Sequence, residues 1–254
     1  MTTKAFRREI ASLADAKGRR KAGAFMAEGT KCVIDTVEAF AVRHIIATPK
    51  WLGEHTLPAG VDIVEANRGE IGEMCSMSLA PDVIAVYELP QAPAFDPVCA
   101  LDDLVVALDR VQDPGNLGTI MRTADWMGIT TLLASADTVD CFNPKAVQAT
   151  MGAISRVRVV YGDLPGMLAD AAALGAPVYG TFLDGDNIYS AQLSEGGIVV
   201  MGNEGRGISA EVAATVNRRL LIPPYPAGRP TSESLNVATA TAIVLSQFRA
   251  RMAR

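Results

Sequence analysis

The chain has 254 residues, 49% of them hydrophobic and 20% charged, with a net charge of −5; this is the composition of a globular protein with room for two modest cores, and it excludes a disordered chain. No apolar run approaches the roughly 18 residues of a membrane span, and the basic amino terminus lacks a following apolar stretch, so no signal peptide is expected and a cytoplasmic location is. Cys32, Cys75, Cys99 and Cys141 lie far apart and the histidines are His44 and His55 alone, which excludes the usual zinc spacings and argues against disulfides; neither histidine sits near a candidate nucleophile loop, which argues against a Ser-His-Asp hydrolase.

Phe6, Ile10, Leu13 and Ala14 fall at helical spacing and predict an opening amphipathic helix, ending in a basic loop, Lys17-Gly18-Arg19-Arg20-Lys21. Residues 1–21 hold seven basic side chains against two acidic ones, a net +5 that leaves −10 for the rest of the chain. Such asymmetry suggests an anion-binding arm, with Lys17, Arg19, Arg20 and Lys21 as candidate RNA contacts; a solvated helix face would carry the same charges. A run at 25–27, a helix over 30–41, strands at 43–47 and 61–64, a helix over 68–77 capped by Asn67 and a strand at 83–87 complete a small α/β unit without a catalytic constellation. Three prolines within 89–97 mark a boundary, placing a first domain at 1–95 and a second at 96–254.

Beyond the boundary, strand and helix alternate. Strands are predicted at 104–108, 130–134, 157–160, 178–182, 198–201 and 220–222, with helices over 117–127, from 143, over 164–174 and 210–216, and at the carboxyl end. That alternation predicts a mostly parallel sheet with helices on both faces.

Polar loops follow several of these strands, as expected where a parallel sheet delivers functional groups at its carboxyl ends. Gly202-Asn203-Glu204-Gly205-Arg206-Gly207 holds three glycines in six residues, giving a backbone that a ligand could approach closely, with Glu204 above it. Ser232-Glu233-Ser234-Leu235-Asn236 stands before an apolar helix, where Ser or Asn caps free amides. After the strand at 104–108, Asp113-Pro114-Gly115 signals a turn, Asn116 occupies the expected cap, and Arg122 follows in the second turn of the helix. A guanidinium there can hold a phosphate or carboxylate bidentately, although a salt bridge to Asp109 or Asp125 would serve it equally.

Taken together, LDRVQDPGNLGTIMRTAD (108–125), VVMGNEGRGIS (199–209) and IPPYPAGRPTSESLNVATATAIVL (222–245) resemble the three motifs of the SpoU (TrmH) family of S-adenosylmethionine-dependent RNA 2′-O-ribose methyltransferases, of the SPOUT class. The amino-terminal unit, with FMAEGTKCVIDTV, is similar to the ribosomal-protein-like substrate-binding domain that precedes the catalytic domain in many members. The resemblance implies a trefoil knot in the second domain, a homodimer, and a donor pocket formed by Thr181, Leu183, Met201, Gly202, Ile222, Pro223, Ser234, Leu235 and Asn236. It also implies a catalytic set of Arg122, Asn116, Glu204, Ser234 and Asn236, and no metal. Because a guanidinium stays charged, Arg122 is expected to grip RNA phosphate and stabilise the developing alkoxide, with a phosphate oxygen, Glu204 or water taking the proton.

The partner implied is structured RNA, ribosomal in preference to transfer RNA, recognised by shape, phosphate and 2′-hydroxyl. A proline-rich loop, 223–233, departs from the family pattern and could carry Arg229 toward RNA or cover the pocket. Two other readings are a catalytically silent RNA-binding or ribosome-assembly protein on the same fold, and a nucleotide-dependent oxidoreductase. The full catalytic set argues against the first; the second lacks a G-x-G-x-x-G after the first strand of either domain.

Overall fold

In the computed structural model, residues 2–226, 232 and 234–252 are described. They form two compact units, one of residues 1–91 with 140–156, the other of 92–139 with 157–254. No described helix is long and apolar enough to cross a membrane.

The first unit opens with α1 (Lys4–Ser12), α2 (Ala16–Ala22), β1 (Ala24–Glu28), α3 (Thr30–Thr36), β2 (Val42–Ala47), α4 (Pro49–Glu54), β3 (Ile63–Glu65), α5 (Arg68–Met74) and β4 (Val83–Glu88). Its sheet runs β1-β4-β2-β3, antiparallel except for β2 with β3. One face packs Met26, Ile46, Ile84 and Val86 against Ile10 and Leu13 from the α1 segment and Ile71 and Met74 of α5. At the start of α5, Asn67 Oδ1 accepts the Glu70 amide while the Glu70 carboxylate accepts the Asn67 amide, a reciprocal cap.

The second unit continues with α6 (Cys99–Asp102), β5 (Leu104–Leu108), α7 (Pro114–Trp126) and β6 (Thr131–Ser135). The chain then contributes α8 (Pro144–Thr150) to the first unit, where Phe142 lies 4.6 Å, centroid to centroid, from Phe25 of β1. The strand-helix rhythm alone had run this segment through the second domain. Its apolar side chains instead complete the first unit's other sheet face, beside Phe40 and Tyr87.

β7 (Arg158–Gly162), α9 (Leu164–Ala173), β8 (Val178–Asn187), β9 (Gly197–Met201), α10 (Ala210–Ala213), β10 (Arg218–Leu221) and α11 (Val237–Met252) finish the second unit. Its six strands lie in the order β10-β8-β9-β5-β6-β7, every pair parallel. β5 and β9 are buried along their whole length, as the uninterrupted runs LVVAL and GIVVM require of strands covered on both faces. From β5 the chain steps outward to β6 and β7, then returns to lay β9 on the other side of β5 and β8 beyond it. Loops leaving β5, β8, β9 and β10 therefore converge at one reversal of strand order, where open parallel sheets bind their ligands.

Two sequence expectations change here. The basic stretch 17–21 is helical within α2, because the left-handed Gly23 (φ 59°) closes the helix only after Ala22. The strand expected at 178–182 runs on to Asn187, and opposite its middle the register against β10 slips.

Candidate active site

At the carboxyl ends of β8, β9 and β10 lies a cavity of about 500 Å³. Thr181, Leu183, Met201 and Gly202 form two of its walls; Ile222, Ser234 and Leu235 line it from the segments after β10 and before α11. Pro223 and Asn236, expected in the same pocket, stand outside its walls. The central part of the proline-rich loop, with Arg229 and Glu233, lies outside the described residues.

The glycine-rich loop after β9 closes on itself. Asn203 and Gly207 exchange both backbone hydrogen bonds, at 3.0 and 2.9 Å, with Gly207 at φ +66°. A Cβ on Gly202 would fall 2.4 Å from the carbonyl carbon of Gly207 and from the amide of Ile208. Gly202 is thus required by the loop's own backbone, whereas the sequence had suggested a ligand's close approach as the reason. The side chain of Asn203, which sequence reasoning passed over, accepts the amides of Gly205 and Arg206 at 3.0 Å each and donates to the Arg110 carbonyl at 2.8 Å. Asn next to glycine in a tight turn was the available signal.

Asp109, read from sequence only as a possible salt-bridge partner for Arg122, is 2% exposed just after β5. Its Oδ2 accepts the Ser209 amide at 2.5 Å and its Oδ1 lies 3.3 Å from Arg110 Nε. It fixes the far end of the glycine-rich loop to β5 and is not a partner for Arg122.

Above the cavity rim three predicted residues meet. Asn116 Nδ2 donates to Glu204 Oε1 at 2.7 Å, and Asn236 Nδ2 donates to Asn116 Oδ1 at 2.9 Å. Asn236 Oδ1 accepts the Ala238 and Thr239 amides at 3.0 and 3.2 Å and so caps α11. One amide thus holds both its neighbours in fixed orientation, with the chain of hydrogen bonds ending on a carboxylate. Asn116 itself is not the cap of α7: Asp113 Oδ1 accepts the Asn116 amide at 2.7 Å, and Pro114 opens the helix three residues earlier than expected. That moves Asn116 into the first turn, facing the glycine-rich loop.

Arg122 is exposed and makes no hydrogen bond or ion pair with a described residue. Six residues beyond Asn116 on a helix is about 9 Å along the axis and roughly 120° around it, so within one chain the guanidinium is directed away from the Asn116–Glu204 pair.

Arg19 departs further from expectation. It is 2% exposed, its Nε and Nη2 donate to Asp140 Oδ2 at 3.0 and 2.6 Å, and Nη1 donates to the carbonyls of Leu13 and Ala14. A guanidinium so enclosed, with four of its five N–H groups engaged, is not available to RNA. Lys17, Arg20 and Lys21 are exposed.

The cavity fits an adenosyl sulfonium donor. Its volume lies in the range of small-molecule sites, roughly 300–1,000 Å³; Leu183, Met201, Ile222 and Leu235 supply apolar walls, and Thr181, Ser234 and Glu204 supply polar groups. No group of acidic, histidine or cysteine side chains among the described residues could hold a metal ion.

Residues 103–246 match the model of the SpoU rRNA Methylase family, and residues 7–85 match the MRM3-like substrate binding domain. The chain is 30% identical to the 23S rRNA (guanosine(2553)-2′-O)-methyltransferase RlmP of Bacillus subtilis, over 92% of this chain and 91% of that protein. It is 28% identical to the 23S rRNA (uridine(2479)-2′-O)-methyltransferase of Streptomyces viridochromogenes, covering 97% and 90%. Among solved structures it resembles a TrmH-family protein of Porphyromonas gingivalis (39% identity, TM-score 0.89, 99% of both chains) and the AdoMet-bound rRNA methyltransferase of Sinorhizobium meliloti (29%, 0.85, 99% and 97%). With its family model spanning more than half of it, and a relative of this identity along nearly all of it, the chain belongs to the SpoU rRNA methylase family.

Proposed function

We propose that this protein transfers a methyl group from S-adenosylmethionine to a ribose 2′-hydroxyl of RNA, ribosomal in preference to transfer RNA. The observation that carries the proposal is the Asn236–Asn116–Glu204 chain of hydrogen bonds at the rim of a cavity of donor size. The named 23S rRNA methyltransferases among its relatives support the ribosomal substrate.

The division of labour follows the two family models. Residues 1–95 bind RNA, with Lys17, Arg20 and Lys21 as the exposed cations, and residues 96–254 bind the donor and catalyse transfer. The proposal includes the trefoil knot of SPOUT proteins in the second domain, and a cytoplasmic location.

In the reaction, Thr181, Leu183, Met201, Gly202, Ile222, Ser234 and Leu235 hold the donor, whose sulfonium supplies a transferable methyl group without a metal. Positioning then dominates, since an in-line displacement needs the hydroxyl aligned and its proton removed. Glu204 Oε1 is engaged by Asn116, while its Oε2 carries no hydrogen bond from a described residue and is placed to accept that proton. Arg122 binds the adjacent phosphate and stabilises the developing alkoxide. Since it points away from Glu204 within one chain, a homodimer is part of the proposal: a second copy brings its Arg122 to this rim.

Mass-spectrometric mapping of ribose methylation in total RNA, with and without the protein, tests the function. One 2′-O-methyl group that depends on the protein is expected. Binding of the donor with no change in any RNA would instead make the chain a silent RNA-binding protein.

A further inference from the structure

Beyond Gly180, β8 loses its partners. Gly180 pairs with Arg219 of β10 and with Val200 of β9, and the next register pair with β10 is Asp186 with Leu220. Arg219 and Leu220 are consecutive, so five residues of β8, Thr181–Gly185, form a bulge without register partners on β10. Three of them, Thr181, Phe182 and Leu183, wall the cavity. A wall whose register with the neighbouring strand is broken needs another restraint to keep its shape.

Arg219 provides one. Its Cζ lies 3.6 Å from the centroid of the Phe182 ring, and its Nη2 donates to Asp184 Oδ1 at 2.5 Å. One guanidinium therefore holds the bulge at two points, by cation–π contact and by ion pair. The ring also needs glycine at position 180, since a Cβ on Gly180 would meet Phe182 Cε2 at 2.6 Å. Where the bulge returns to the sheet, a Cβ on Gly185 would lie 2.5 Å from the carbonyl carbon of Leu220, so only glycine lets the two backbones rejoin. The hydrogen bond from Arg219 also lowers the pKa of Asp184 from its ordinary value.

We infer that Arg219 is a positioning residue for methyl-donor binding, clamping the Thr181–Gly185 bulge into a wall through Phe182 and Asp184. The inference rests on the reading of the cavity as the donor site. Arg219 touches neither the catalytic hydrogen-bond chain nor the cavity lumen, so its loss changes donor affinity and leaves the chemical step intact.

The test is calorimetric titration of the full-length protein with S-adenosylmethionine and S-adenosylhomocysteine. Arg219→Ala is expected to raise both dissociation constants about five- to tenfold, and Asp184→Asn to raise them by a smaller factor. Arg219→Lys, which keeps charge without the planar fork, is expected to recover part of the loss. Arg218→Ala on the same strand serves as the control and leaves binding unchanged. In turnover, KM for the donor rises while kcat at saturating donor stays at the wild-type value. Should Arg219→Ala fail to fold, Asp184→Asn reads the same clamp from its other end. Wild-type donor affinity in both Arg219→Ala and Asp184→Asn overturns this inference alone; absence of donor binding by the wild-type protein overturns the functional reading and this inference with it.

Discussion

Arg19 and Arg20 are neighbours in one basic helix, yet the structure gives them different tasks, and replacing each by alanine separates them. Arg19→Ala leaves the carbonyls of Leu13 and Ala14 without the donor that reaches them at 2.9 and 3.0 Å. A buried acceptor deprived of its partner costs about 1–3 kcal/mol; the Ala14 bond is only partly buried, so the two together cost about 2–4 kcal/mol. The lost ion pair adds little, because the Asp140 side chain is 39% exposed and rehydrates, and pairs open to water are worth roughly 0–1 kcal/mol. The expected destabilisation of the first unit is therefore about 2–5 kcal/mol, a large share of a typical domain's 5–15 kcal/mol. Arg20→Ala, at an exposed position, should stay within about 0.5 kcal/mol. Because a two-unit chain has no single unfolding free energy, the assay is native-state hydrogen exchange at the β1 and β4 amides, paired with RNA binding over a salt series. Lys17→Ala, Arg20→Ala and Lys21→Ala combined should weaken RNA binding and flatten the salt slope by roughly 0.7–0.9 per lost phosphate contact, without altering donor affinity. Unprotected β1 amides in the triple variant, or a flattened salt slope with unchanged exchange in Arg19→Ala, would show that burial has been misread as structural purpose.

At the site, Glu204→Gln keeps the shape of the side chain and removes the proton acceptor; turnover should fall about 100-fold or more with donor affinity preserved, and near wild-type single-turnover rates would assign the proton to phosphate or water. Gly202→Ala should cost about 1–3 kcal/mol and donor binding together, since the atoms 2.4 Å from its Cβ are backbone and have nowhere to move; an unperturbed melt with normal binding would refute the loop's closure. The amides of Asn67 and Thr2, with the Thr2 hydroxyl, pull the Glu70 carboxyl down to about 2 from 4.5. A depressed carboxyl contributes stability in full above its unfolded value and loses it as the pH falls from about 4.5 to about 2. Glu70→Gln should remove that acid-sensitive component, and identical acid unfolding in the two proteins would disprove it.

Much of the second unit was written in local pattern. Uninterrupted runs such as LVVAL and GIVVM, each followed by a polar turn, specify strands covered on both faces, and a parallel sheet follows from their alternation with helices. Asn116, Glu204 and Asn236 stood out as candidates because each stands in a turn at the end of a strand or the start of a helix, and the family resemblance grouped them. So was the reciprocal cap of Asn67 and Glu70, which depends on a spacing of three residues.

Tertiary structure decided what those residues bond to. The Asn116–Glu204 and Asn236–Asn116 contacts join positions 88 and 120 residues apart, and no local period encodes which strand lies beside which. The same limit hid the burial of Arg19, whose partner Asp140 is 121 residues away, since a basic heptapeptide looks solvated until another segment packs over it. It hid Asp109 and Asn203, which act by pinning backbone from neighbouring strands, and the Thr181–Gly185 bulge, which exists only as a mismatch of register with β10. Sequence periodicity reports which face of an element is covered; the strand order of the folded sheet determines the neighbour that covers it, and with it the hydrogen bonds that make the site.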